Sequence, residues 1–140
     1  MIYLDTSLLA AIFFREANAG ELVTRIESLQ QQKLMISAWT LTEMASVGGI
    51  KQRTGAVDAA TRQQALATFQ RFASAKLGLM EVEPGDFRTA AVFIDTSLAL
   101  RAGDALHLAV TRRLNARLAS LDRRLCDAAD LLGIERMELA

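Results

Sequence analysis

The chain is poor in the residues that usually carry thiolate or imidazole chemistry. Among its 140 residues there is one cysteine, Cys126, and one histidine, His107. A lone cysteine forms no internal disulfide and no metal-thiolate cluster, and it fits a reducing, cytoplasmic setting. A lone histidine removes most histidine-based zinc sites. Aromatic residues make up only 6%, so the chain has few rings to spare for stacking bases. No excess of charge of either sign announces a polyanionic partner, because 16 basic residues meet 16 acidic ones. No stretch reaches the roughly 20 apolar residues that cross a bilayer, so no membrane association is expected. The apolar run at 8–14, followed by Ala17-Asn18-Ala19, imitates a signal peptide. Nothing basic precedes Arg15, however, and Asp5 interrupts the approach, so the run is read as part of the folded domain.

What remains is a chain with the means to build a core. It is 51% hydrophobic and 23% charged, which fits one globular domain over residues 1–140. Short apolar runs at 2–4, 34–37, 79–83, 118–121 and 134–139 read as strands. Between them, helical spacing is expected over 8–14, 20–31, 40–53, 58–76, 87–98, 105–114 and 123–132. Gly48 and Gly49 weaken the third of these by about 1 kcal/mol each relative to alanine, and Gly103 is read as a break before the sixth. Alternation of this kind predicts an α/β fold, with a largely parallel sheet of about four to five short strands flanked by helices.

In open parallel sheets, sites form beyond the carboxyl ends of the strands. Asp5 follows the first strand and Asp122 the fourth. Glu43 lies in the opening turns of the helix after the second strand, and Asp104 stands at a helix start after Gly103. Four acids from four stretches therefore converge on one sheet edge. Without positive neighbours they repel one another, and some would hold a proton near neutral pH. A divalent cation resolves the conflict, and an all-oxygen set selects Mg²⁺ or Mn²⁺. Such an ion polarises a phosphoryl oxygen and activates a water, which points to phosphodiester hydrolysis. Within 101–124 the basic residues are all arginines. Arg101, Arg112, Arg123 and Arg124 are the candidates to hold a nucleic-acid backbone.

Four segments in order carry a resemblance: Met1-Ile-Tyr-Leu-Asp5-Thr6-Ser7, Ser37-Ala-Trp-Thr-Leu-Thr-Glu43, Ala102-Gly-Asp104-Ala-Leu-His-Leu-Ala109 and Leu118-Ala-Ser-Leu-Asp122-Arg-Arg-Leu125. Together they resemble a PIN domain, and more narrowly the VapC-type toxins of prokaryotic toxin–antitoxin pairs. That resemblance implies a single PIN-like domain acting as a metal-dependent single-strand ribonuclease, silenced by a small cognate antitoxin and forming a homodimer. It also implies that Asp5, Glu43, Asp104 and Asp122 form the acidic site. Thr6 and Ser7 match hydroxyl positions beside the first acid, and Ser120 falls near the fourth.

Plainer roles compete for several of these residues. Asp5, Asp104 and Asp122 could each be helix N-caps, and Glu43 a solvated helix residue. His107, three residues after Asp104 on the same helix face, could be a supporting partner of the site but is read as a core or interface histidine, Cys126 as a small buried hydrophobe, and Trp39 as core. Asp58, Asp86, Asp127 and Asp130 are read as caps or surface charges. Asp95-Thr96-Ser97-Leu98 repeats Asp5-Thr6-Ser7-Leu8 letter for letter but follows no strand, and is taken as coincidence. Two other functions stay open at this point. One is a catalytically silent RNA- or protein-binding module on the same fold. The other is a phosphatase with Asp5 as covalent nucleophile, although that class wants an acid two residues on, where Ser7 stands.

Overall fold

The computed structural model describes residues 1–29, 31–96 and 99–139. Four parallel strands, β1 (Ile2–Leu4), β2 (Leu34–Ser37), β3 (Gly78–Met80) and β4 (Arg117–Ala119), form one sheet in the order β3-β2-β1-β4. Tyr3 registers with Met35 on one side and Leu118 on the other, and Met35 with Gly78. Seven helices connect them among the described residues: α1 (Thr6–Phe13), α2 (Ala19–Glu27), α3 (Ala38–Arg53), α4 (Ala59–Lys76), α5 (Pro84–Ile94), α6 (Ala102–Arg113) and α7 (Arg123–Leu131).

The two-residue period of the strands divides the core in two. Ile2, Leu4, Leu34 and Ile36 point to one face and pack with Leu8 and Leu9 of α1, Leu22 and Ile26 of α2, Met44 of α3 and Phe69 of α4. Tyr3, Met35 and Leu118 point to the other face and meet Phe93 of α5, Leu108 of α6 and Leu125 of α7. Both faces of the sheet are thereby covered, as a parallel sheet requires. All three residues of β1 are buried, and its carboxyl end runs straight into Asp5.

The expected fifth strand is not a strand. Residues 134–139 make a single parallel bridge, Leu118 with Arg136. The reason lies in the brevity of β4. Arg117 and Ala119 spend their inward groups on β1, through Arg117 N to Met1 O and Asp5 N to Ala119 O. Only Leu118 turns both its N–H and its C=O outward, and these bond Glu135 O (2.8 Å) and Met137 N (2.7 Å). A three-residue edge strand has nothing more to offer a neighbour.

Helix limits also differ from the sequence pattern. The helix expected over 20–31 spans Ala19–Glu27, and Gln30 lies outside the described residues. The helix expected to run to Leu98 ends at Ile94, with Ser97 and Leu98 outside the described residues. β3 stops at Met80, short of the expected Glu83, because Glu83 already serves as N-cap to Pro84 at the start of α5. Gly103 does not break a helix. It sits in the first turn of α6, where backbone N–H groups have no intrahelical partner to lose. Gly48 lies in the middle of α3, where a Cβ would stand 3.2 Å from Arg62 Cγ and 3.3 Å from both Leu66 Cδ1 and Phe14 Cζ. Its helix-propensity cost is offset by the close approach of α4.

Asp58 is an exposed N-cap as read, accepting from Thr61 N at 2.7 Å. Asp86 is a cap partner as read, its Oδ2 accepting from Glu83 N at 2.8 Å in a capping box, but it is not a surface charge. It is 2% exposed, and Arg113 of α6 grips it with Nε to Oδ1 and Nη2 to Oδ2, both at 2.9 Å. Burial opposes ionisation of Asp86, but the Arg113 hydrogen bonds prevail and hold its carboxyl below the usual aspartate range. Asp86→Ala should cost about 2 kcal/mol near neutral pH, the scale of lost charged hydrogen bonds. A depressed carboxylate stabilises above its unfolded pKa and loses that contribution as pH falls through its folded value. The gap between variant and parent in urea unfolding should therefore close in acid.

Candidate metal centre

Each acid is delivered by a different element to the carboxyl edge of the sheet. Asp5 leaves β1 and is the N-cap of α1, only 4% exposed. Its Oδ2 accepts from Ser7 Oγ (2.6 Å), Ser7 N (3.3 Å) and Ser120 Oγ (2.7 Å). This loads one oxygen with donors and leaves Oδ1 facing His107 Nε2 at 3.7 Å. Ser7 Oγ also accepts from Leu121 N at 3.0 Å, which ties the loop after β4 to the start of α1. Asp122 caps α7, its Oδ1 accepting from Arg124 N (2.9 Å) and Leu125 N (3.3 Å). Its own N–H donates to Ser120 Oγ at 3.0 Å.

Glu43 comes from the second turn of α3, directly after β2. Thr6 Oγ1 donates to its Oε1 at 2.7 Å, and His107 Nε2 bonds the same oxygen. Burial works against the charge of Glu43, yet the bonds from His107 and Thr6 outweigh it and lower its pKa. Asp104, in the first turn of α6, has the opposite balance. Burial raises its pKa, and the charges of Asp122, Asp5 and Glu43 raise it further, with His107 only partly offsetting them. Asp104 is thus the acid on which the repulsion within the group falls. Gly103 makes room for this meeting of helices. A Cβ there would stand 3.1 Å from Glu43 Oε2 and 3.1 Å from Trp39 Cζ2.

Two expectations need correction here. The acids do not stand alone, because the His107 imidazole, one helical turn beyond Asp104, lies among them. His107 is 1% exposed, so it is buried as read, but it is buried in the site rather than in the general core. Its Nδ1 meets Tyr3 Oη at 2.6 Å, and Tyr3 Oη lies 2.8 Å from Ser37 Oγ. Burial keeps the Tyr3 phenol well above its usual pKa, so it stays a neutral donor and acceptor. The Asp-x-x-His spacing of Asp104 and His107 was the available sign, since residues three apart share a helix face. The second correction is Arg112. It stands in the last turn of α6, about 12 Å along the helix from Asp104. There it stacks over Phe93 with its guanidinium 4.8 Å from the ring centre and donates to Leu132 O.

The other three candidate arginines are at the right end. Arg101 is the N-cap of α6, and Arg123 and Arg124 open α7 beside Asp122; all three are exposed. A helix N-terminus disfavours cations by about 0.3–1 kcal/mol, so helix stability does not account for three arginines there. Cys126 is half-buried, its thiol 3.6 Å from Ser120 O, and burial pushes its pKa up.

The donor set fits a hard divalent ion. Among the described residues, one ligand atom each from Asp5, Glu43 and His107 lies within 4.8 Å of the others. Asp104 and Asp122 stand outside that trio but act on each other electrostatically across the same edge. A cation placed among these groups would offset both the burial and the neighbouring charges that raise the Asp104 pKa.

Comparison with known proteins gives consistent results. The family model described as PIN domain matches residues 2–131. No curated protein matches the chain in sequence. The chain resembles the solved VapBC2 complex of Rickettsia felis bound to a promoter DNA fragment, at 15% identity and a TM-score of 0.74, covering 98% of each chain. It resembles FitAcB of Neisseria gonorrhoeae at 15% identity and a TM-score of 0.72, covering 99% of this chain and 98% of that one. Mycobacterium tuberculosis VapC20, described as a sarcin–ricin loop cleaving toxin, matches at 19% identity and a TM-score of 0.67, covering 91% of this chain and 95% of that one. Among the described residues no helix is long and apolar enough to cross a membrane.

Proposed function

The chain belongs to the PIN domain family, and from that premise we propose that it is a Mg²⁺- or Mn²⁺-dependent endoribonuclease, the toxin of a cytoplasmic toxin–antitoxin pair. What supports this reading is the grouping of Asp5, Glu43 and His107 within 4.8 Å at the carboxyl edge of the sheet, with Asp104 in the first turn of α6 and Asp122 capping α7. A divalent ion bound there supplies Lewis-acid polarisation of a phosphoryl oxygen and a water nucleophile at neutral pH.

The chain's own residues do the rest. Ser7 and Ser120 load Asp5 Oδ2 with hydrogen bonds and aim Oδ1 inward. Thr6 fixes Glu43 against the start of α1. Arg101, Arg123 and Arg124 flank the acids and suit bidentate contacts to the phosphates of a single strand. The cognate antitoxin would silence the enzyme by placing a basic side chain against the same carboxylates, and the active unit would be a homodimer.

The purified chain should cleave single-stranded RNA with Mg²⁺ or Mn²⁺, stop on addition of EDTA, and resume when the ion is restored. Cleavage should weaken as pH falls, because metal binding requires ionised carboxylates. Undiminished cleavage in excess chelator would reject the mechanism. Tight RNA binding with no cleavage under any divalent ion would favour a silent binding module instead.

A further inference from the structure

We propose that His107 is a direct nitrogen ligand of the bound ion, so that the centre is a mixed oxygen–nitrogen site and not a purely carboxylate one. This rests on the reading of the acidic edge as a metal centre and adds a ligand to it.

Three observations carry the assignment. The first is distance. His107 Nε2 lies 3.7 Å from Asp5 Oδ1, and the two belong to a set, with Glu43, whose ligand atoms all fall within 4.8 Å. Ligands held about 2.0–2.2 Å from a common ion are separated by about 3–4 Å, so this spacing suits coordination. The second is the helix that presents His107. Asp104 lies outside that set but stands three residues before His107 on α6, the spacing by which helical carboxylate proteins offer a carboxylate and an imidazole to a metal site.

The third is the support behind the ring. Ligating histidines nearly always commit their far nitrogen to a fixed partner, which sets the ring orientation. Here Nδ1 meets Tyr3 Oη at 2.6 Å, inside the core. Tyr3 can accept from Nδ1–H while its own O–H turns to Ser37 Oγ, 2.8 Å away. Ser37 and Thr40 are themselves locked in a capping box at the start of α3. In this tautomer Nε2 presents its lone pair toward Asp5 and Glu43. A proton on the same nitrogen makes the hydrogen bond to Glu43, so an ion and that bond compete for Nε2.

A nitrogen ligand moves preference from Mg²⁺ toward first-row transition ions, and Mn²⁺ accepts both donor types. Mn²⁺ should therefore bind the full chain at least about tenfold more tightly than Mg²⁺. The decisive readout is nitrogen coupling in the electron spin-echo spectrum of Mn²⁺ bound to untagged protein. His107 is the only histidine in the chain, so no other imidazole can give that signal. The wild-type spectrum should show directly coordinated ¹⁴N. His107→Gln should lose the signal while still binding Mn²⁺ through the acids. Tyr3→Phe should keep the signal and bind Mn²⁺ about 10–100-fold more weakly, the usual effect of removing the partner behind a ligand.

Mn²⁺ bound without nitrogen coupling would overturn the proposal, make His107 a positioning partner of Glu43, and leave the metal reading intact. No bound Mn²⁺ at all would overturn both. Because the wild-type spectrum answers the question alone, misfolding of His107→Gln would not obscure the result.

Discussion

Asp104→Asn should abolish RNA cleavage and, in the same protein, raise the stability of the metal-free chain. Both effects come from one feature. Burial and the neighbouring charges of Asp122, Asp5 and Glu43 raise the pKa of Asp104, so its ionised form is held at a cost. Asparagine keeps the shape and removes the charge. The cost of burying that charge and its repulsion with the other three acids are then gone, and unfolding in the presence of chelator should require more urea. Sites that trade stability for function behave in this way.

The pH dependence separates this explanation from a packing effect. A carboxyl whose folded pKa is raised contributes most favourably below its unfolded pKa, and that contribution is lost as pH rises through the folded value. Parent and Asp104→Asn should therefore converge in acid and diverge toward neutrality, with the variant the more stable. Asp86→Ala has the reverse sign at neutral pH, since Asp86 is a depressed carboxylate held by Arg113. Cleavage by Asp104→Asn should fall at least about a hundredfold, or about 2.7 kcal/mol of transition-state stabilisation. A variant that is less stable at neutral pH and still cleaves RNA would contradict both halves.

Asp5→Asn and Asp95→Asn should have opposite consequences despite identical sequence surroundings. Asp5 is 4% exposed, with Oδ2 held by Ser7 and Ser120 and Oδ1 turned toward His107. Asparagine caps helices about as well as aspartate, so α1 should survive the change. The loss is one negative oxygen among the ligands, and cleavage should again fall at least about a hundredfold. Asp95 is exposed at the C-cap of α5 and follows a helix, not a strand. Asp95→Asn should leave both cleavage and stability within about 0.5 kcal/mol of the parent. Equal activity of the two variants would remove Asp5 from the metal centre.

Much of this architecture could be read from local pattern. β1 and β2 are apolar runs that stop at strong helix starters, and that junction alone puts Asp5 at a strand end and Glu43 in the opening turns of a helix. The placing of Asp5, Glu43 and Asp122 at one edge follows from where parallel strands must finish, whereas Asp104 follows a helix and reaches that edge through the packing of α6. Other features depend on how elements meet in space. Whether 134–139 forms a strand is decided by the single outward-facing residue of β4, which no local pattern reveals. Gly103 has the signature of a helix breaker, yet what it supplies is room for Glu43 and Trp39. The spacing of His107 from Asp104 suits a site partner and a core histidine equally, and the Tyr3, Glu43 and Asp5 contacts decide between them. Arg112 looked equivalent to Arg101 in a list of basic residues, but three turns of α6 separate them.

The central claim is that these acids hold the ion with which the chain cuts RNA. Its most direct test follows Mn²⁺ binding by electron paramagnetic resonance and RNA cleavage by gel on the same titrated sample, starting from chelator-treated protein. Cleavage should be zero in the metal-free protein and rise with the bound fraction, the two curves superimposing. Asp5→Asn should flatten both together. Cleavage before any Mn²⁺ is bound, or a saturated site with no cleavage of single-stranded RNA, would contradict the claim.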